Sequence, residues 1–267
     1  MQGLDRYAYV NNNPLVYTDP SGHFADCGRV PDGYARQQCE RASKNEQLYN
    51  AFLEENWELF DTLLGIMLTT DGTTTWDTTT WNGVTFNEAV AVRRGAMDVA
   101  FALGSVNHLS AAEAFREAFG TSASDRLEFR RVASFTYDAN QDGVLETYTA
   151  GGVTRSRHLI VLANLSNWNF GTARNNVVHE LGHAFNVAHG RHPQNFAGRY
   201  LGINAKLLRP FDTCQWQLRS ADNASEMFAD MFIAWTYNAW NTYTDENARL
   251  SSAARAAMTT KMSEWLY

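Results

Sequence analysis

Two imidazoles and a carboxylate stand at helical spacing in Val178-His179-Glu180-Leu181-Gly182-His183-Ala184-Phe185. His179 and His183 are four positions apart, so on a helix one lies above the other on the same face. Two neutral ring nitrogens placed in this way can supply half of a tetrahedral zinc site. Glu180, next to the first histidine, then has its carboxylate left over for taking a proton from water. This His-Glu-x-x-His pattern is one that metal-assisted hydrolysis of an amide can use, and its surroundings must add to it.

A catalytic zinc site needs a third protein ligand, and the chain offers two. The first is Glu226, in Asn223-Ala224-Ser225-Glu226-Met227-Phe228-Ala229-Asp230-Met231-Phe232-Ile233-Ala234-Trp235. Phe228, Phe232 and Trp235 mark the buried side of a helix, and Glu226 and Asp230 share another face. Burying two carboxylates on so apolar a helix is costly unless a cation is present. Asp230 would then accept a hydrogen bond from the second nitrogen of one histidine and fix its tautomer. The second candidate is His189, ten positions after His179, in His-Glu-x-x-His-x-x-Asn-x-x-His. That pattern resembles the extended motif of the metzincins, with Asn186 at a left-handed break and Met227 or Met231 as the methionine below the metal. Helical spacing and the cost of buried charge favour Glu226, and His189 stays as the alternative.

The elements that must position these groups follow from periodicity and punctuation. His158 to Asn164 reads as an edge strand able to pair with an extended substrate. Thr172 is the expected N-cap of a helix that runs to about Ala188 and is stopped by Gly190 and Pro193. Residues 34–68 read as amphipathic helix with Leu48, Phe52, Trp57, Phe60, Leu63 and Leu64 buried; Phe86 to Leu103 and Ala111 to Phe119 read as two more. Leu127 to Thr149 reads as a β-hairpin whose loop places Asp138, Asn140, Asp142, Val144 and Glu146 as a calcium loop would. It lacks the Glu at position twelve of an EF-hand, and the same residues also suit a plain turn. Calcium and bare hairpin therefore both stand.

The pairing of HELGHAF with SEMFADMF, some forty residues apart, resembles the zinc-Glu peptidases, or gluzincins, and is similar to the catalytic domain of the anthrax lethal factor family. The resemblance covers roughly residues 155–240. It implies an α+β, mainly helical, zincin-like fold with a small antiparallel sheet. It also implies His179, His183 and Glu226 as zinc ligands, Glu180 as the general base and Asp230 as the acid one turn beyond the ligand. That family has a tyrosine shortly before the ligand Glu that steadies the oxyanion. Trp216-Gln217-Leu218-Arg219-Ser220 has none, leaving Arg219, Tyr200, His192 or Tyr237 as replacements.

Leu4-Asp5-Arg6-Tyr7-Ala8-Tyr9-Val10-Asn11-Asn12-Asn13-Pro14 to Asp19-Pro20-Ser21-Gly22-His23 is similar to the closing segment of the Rhs/YD-repeat core, RYxYxxNNPxxxxDPxG. By itself this stretch is a Pro/Asn/Gly-rich linker. The resemblance implies a toxin payload behind it, delivered to target cells or secreted as part of a larger protein, with an immunity protein as partner. The expected organisation is 1–23 as Rhs tail, 24–126 as a helical N-terminal portion forming one wall of the cleft, and 127–267 as the peptidase core.

Composition bounds the rest. With 29 acidic against 22 basic residues the formal charge is −7, which argues against a nucleic-acid substrate. No apolar run approaches the roughly 20 residues of a membrane span, Leu63 to Leu68 being too short. The N-terminus carries no signal-peptide pattern, so export is expected to depend on a specialised machine or on upstream sequence. Of three cysteines, Cys27 and Cys39 either bridge, leaving Cys214 free, or stay independent thiols. The expected function is zinc-dependent hydrolysis of peptide bonds in a protein or peptide substrate by metal-activated water. A non-catalytic zinc-binding effector module and a hydrolase of non-peptide amides are the competing classes.

Overall fold

Asn56, Asn87, Ser110 and Asn169 each accept a hydrogen bond from a backbone N–H at the start of a helix, and these caps set the chain's punctuation. The computed structural model describes residues 27–30, 32–76, 78–81, 84–122, 124–137, 146–148, 151–163, 168–201, 224–238 and 256–266. The helices are α1 (Tyr34–Leu53), α2 (Trp57–Leu64), α3 (Glu88–Val106), α4 (Ala111–Phe119), α5 (Phe170–Ala188), α6 (His192–Leu201), α7 (Ala224–Thr236) and α8 (256–265). The strands are β1 (Ile66–Thr70), β2 (Thr78–Trp81), β3 (Val84–Asn87), β4 (Leu127–Arg131), β5 (Phe135–Tyr137), β6 (Glu146–Tyr148), β7 (Gly152–Ser156) and β8 (Leu159–Leu162). The fold is α+β and mainly helical, as expected.

Its main sheet has the order β1-β4-β8-β7. β1, β4 and β8 run parallel and β7 is antiparallel to β8, so the sheet is mixed where an antiparallel one was expected. Two small antiparallel pairs, β2–β3 and β5–β6, complete the strands. The expected edge strand at His158–Asn164 is β8, but it lies inside the sheet; the edges are β1 and β7.

Residues 34–68 form two helices and a strand rather than one helix. Gly65, at φ 70°, ends α2 in the left-handed region, and the chain enters β1, which pairs with β4 from Ile66↔Leu127 onward. Phe86 belongs to β3 rather than to the helix that follows, and α4 spans the residues expected. The hairpin expected across Leu127–Thr149 divides. β4 joins the main sheet, its inward Leu127 and Phe129 fully buried, and only β5 pairs with β6. The loop 138–145 of the calcium reading lies outside the described residues, as do residues 1–26 with the Rhs-like segment.

One hydrophobic core runs from Leu48 in α1 to Leu266 and includes residues of α2 to α5, β4, β8, α7 and α8. Residues 24–126 therefore contribute a strand of the main sheet as well as helices. Near the N-terminus Cys27 and Cys39 are disulfide-bonded, joining the turn at Cys27–Arg29 to α1. Cys214 lies outside the described residues. Within the described residues no helix is long and apolar enough to cross a membrane.

Candidate metal centre

α5 begins at Asn169, whose side chain accepts from the Thr172 N–H at 2.8 Å, so the cap is three residues earlier than the expected Thr172. Its stripe of Val177, Val178, Leu181, Ala184 and Phe185 is buried without exception. Phe185 packs on Phe228 and Phe232 of α7 at ring-centroid distances of 6.1 and 5.5 Å. Between the two helices lies Gly182. A Cβ there would stand 2.9 Å from the Ala229 Cα and 3.1 Å from the Phe232 Cβ. The missing side chain lets α7 approach α5 closely enough for their polar residues to meet.

At the meeting point the His179 Nε2 is 3.0 Å from one Glu226 oxygen, the His183 Nε2 is 3.3 Å from the other, and the two Nε2 atoms are 3.1 Å apart. In a tetrahedral site with bonds of roughly 2.0–2.1 Å, neighbouring ligand atoms are separated by about 3.3 Å. The three groups are thus already at the spacing a small divalent ion requires. They form a group able to hold a metal ion. The histidine side chains are 5% and 14% exposed and that of Glu226 is 39%, which leaves the group open to solvent on the Glu226 side.

The far nitrogens are also engaged. His179 Nδ1 lies 3.1 Å from Asp230 Oδ1, and His183 Nδ1 lies 3.0 Å from Ser225 Oγ. With Nδ1–H donated to these oxygens, both Nε2 lone pairs are directed at the shared point. Asp230 is buried at 6% exposure and takes the place its spacing from Glu226 predicts. Ser225, next to Glu226, was not anticipated; a serine at the first turn of a helix reads as a capping residue.

Burial alone would lower the pKa of His179. Its hydrogen bonds to Asp230 and Glu226 and the nearby charges of Asp230 and Glu180 outweigh this and raise it to about 10. Burial pushes Glu226 up, but the two histidines hold it far below the usual carboxylate range. Without a metal, a proton on His179 neutralises the cluster, and a divalent cation would replace that proton.

Glu180 is buried on the same helix but points to β7, where its Oε2 accepts from the Thr154 hydroxyl at 2.8 Å. It is not a member of the three-residue group. Thr154 has no local signature, because nothing in the strand's own sequence says which helix it faces.

His189 stands apart from this group. α5 stays helical through Asn186, whose side chain bonds Gln194. The chain turns only at Gly190 and Arg191, both at positive φ. His189 Nε2 reaches the Ala118 carbonyl oxygen at 3.0 Å and its ring packs on Phe185 at 4.1 Å. Burial pushes its pKa down. Met227 and Met231 are buried within helical α7, not in a turn. Pro193 falls in the first turn of α6, which His192 opens.

Among the candidate oxyanion helpers, Tyr237 donates to Asp98 at 3.2 Å and lies under the Arg174 guanidinium at 4.6 Å. Those contacts tie α7 to α3 and α5. Arg219 and the side chain of Tyr200 lie outside the described residues. His158 bonds the Phe119 carbonyl and pairs with Asp125, a structural role. No protein-family model, no curated protein and no solved structure matches the chain.

Proposed function

We propose that this chain is a zinc-dependent endopeptidase of the zinc-Glu class, forming the toxin end of an Rhs/YD-repeat protein that is secreted or delivered to target cells. The observation that carries the enzymatic reading is the convergence of His179 Nε2, His183 Nε2 and the Glu226 carboxylate at 3.0–3.3 Å, with the Glu180 carboxylate left free of that group. Residues that merely filled a core would not bring two imidazoles and a half-exposed carboxylate to one point.

The three groups would hold the ion, and zinc suits a set of two imidazoles and one carboxylate. When bound, the ion supplies Lewis acidity toward water and toward a carbonyl oxygen. Glu180 takes the proton of the attacking water and later gives it to the leaving nitrogen. Asp230 and Ser225 keep the histidines in the tautomer that leaves Nε2 free. β7, at a sheet edge beside α5, would be the strand that pairs with an extended substrate, the use expected of the strand at His158–Asn164. The Rhs assignment and its immunity partner rest on the sequence of residues 4–23 alone.

The test is incubation of the zinc-loaded protein with a proteome, followed by mass-spectrometric detection of new amino termini. Wild type is expected to generate them and Glu180→Gln, with zinc and fold retained, to lose several orders of magnitude in rate. Equal activity of the two proteins would end the general-base reading, and no new termini from wild type would end the peptidase reading.

A further inference from the structure

β7 meets α5 through residues two apart, Gly152 and Thr154, which by strand alternation share one face. Both touch Glu180. A Cβ on Gly152 would lie 2.5 Å from the Glu180 Cγ and 2.8 Å from its Cδ and Oε1. The glycine is therefore the space in which the glutamate stem rests. Thr154 Oγ1 lies 2.8 Å from Glu180 Oε2 and 2.9 Å from the Glu180 main-chain oxygen.

A threonine hydroxyl has one proton to donate and lone pairs to accept with. Here it faces two acceptors of the same residue, so its proton can serve only one of them fully at a time. The two contacts together pin the Glu180 carboxyl group and its main chain to one position on β7. The water O–H bond breaks as the Glu180 O–H bond forms; that bond breaks in turn when the leaving nitrogen gains its N–H. The Thr154 proton is never transferred.

We propose that Gly152 and Thr154 form a socket for Glu180, with Thr154 a positioning residue that holds the carboxyl group against β7 through its Oε2. This rests on Glu180 acting as the base under the proposed function. A valine at 154 keeps the shape and removes the hydroxyl; a serine keeps the hydroxyl. Thr154→Val is expected to lower kcat by roughly 10- to 100-fold, the size of one hydrogen bond to a charged group. KM and zinc affinity should stay near wild type. Thr154→Ser should recover kcat to within a few-fold.

The second readout needs no activity. In a crystal structure of metal-free Thr154→Val, Glu180 is expected to leave β7, and Gly152→Ala should displace it as well. Unchanged kcat in Thr154→Val, a Thr154→Ser variant as impaired as the valine, or a loss of kcat matched by equal loss of zinc affinity would overturn the socket. If wild type hydrolyses no peptide, the function fails; the position of Glu180 in the two crystal structures then decides the socket alone, and an unmoved carboxylate overturns it.

Discussion

Replacing Asp230 by Asn changes one charge 3.1 Å from His179 Nδ1 and almost nothing in volume. Two consequences oppose each other. The neutral amide orients the imidazole less firmly and makes it a poorer donor to a metal, a loss typically about 10–100-fold in affinity, or about 1.4–2.7 kcal/mol. Asp230 also helps raise the pKa of His179 to about 10. Below that pH a metal must displace the His179 proton, at about a tenfold cost in apparent affinity per pH unit. Asp230→Asn weakens this competing proton. The ratio of mutant to wild-type Kd should therefore be smallest near pH 6.5, be larger at pH 9, and reach its full size only above about pH 10. Zinc titrations against a competing chelator at both pH values measure it, with circular dichroism to check the fold. A ratio that shrinks or stays constant as pH rises would refute the role assigned to Asp230.

Glu226→Ala should weaken zinc by more than Asp230→Asn does, whereas His189→Ala should lower the melting temperature and leave zinc affinity intact; the same chelator titration ranks them. Gly182→Ala forces a methyl against the α7 backbone, and overpacking of this kind costs about 1–3 kcal/mol. It should lower the melting temperature and, by separating the two helices, also zinc affinity; stability loss with unchanged zinc binding would show that helix approach does not set the site. The raised pKa of His179 means that metal-free protein holds that group's stabilisation fully below about pH 6.5 and loses it as pH rises toward about 10. Zinc-loaded protein should behave oppositely, so the gap between their melting temperatures should widen from pH 7 to pH 9.5.

Much of the site was legible because its spacing is local. His179 and His183 belong to one helix, and an acid pair on an apolar helix marks a place able to hold a cation even though Glu226 lies 47 residues from His179. What the sequence does not carry is which strand faces which helix. Thr154 and Gly152 hold Glu180 across 26 and 28 positions, and neither has a pattern of its own. The sheet was misread for the same reason. β4 looks like half of a local hairpin, yet its partners are β1, some 60 residues before, and β8, some 30 after. Ile66 to Leu68 continues an apolar run too short to separate strand from helix by period, and the left-handed Gly65 that divides them reads as one glycine within a helical stretch.

The most direct test is diffraction from a zinc-soaked crystal with data collected at the zinc absorption edge. The account predicts one anomalous peak per chain, enclosed by His179 Nε2, His183 Nε2 and the Glu226 carboxylate, with Glu180 outside bonding distance. A peak at His189, a peak coordinated by Glu180 in place of Glu226, or no peak between α5 and α7 would contradict it.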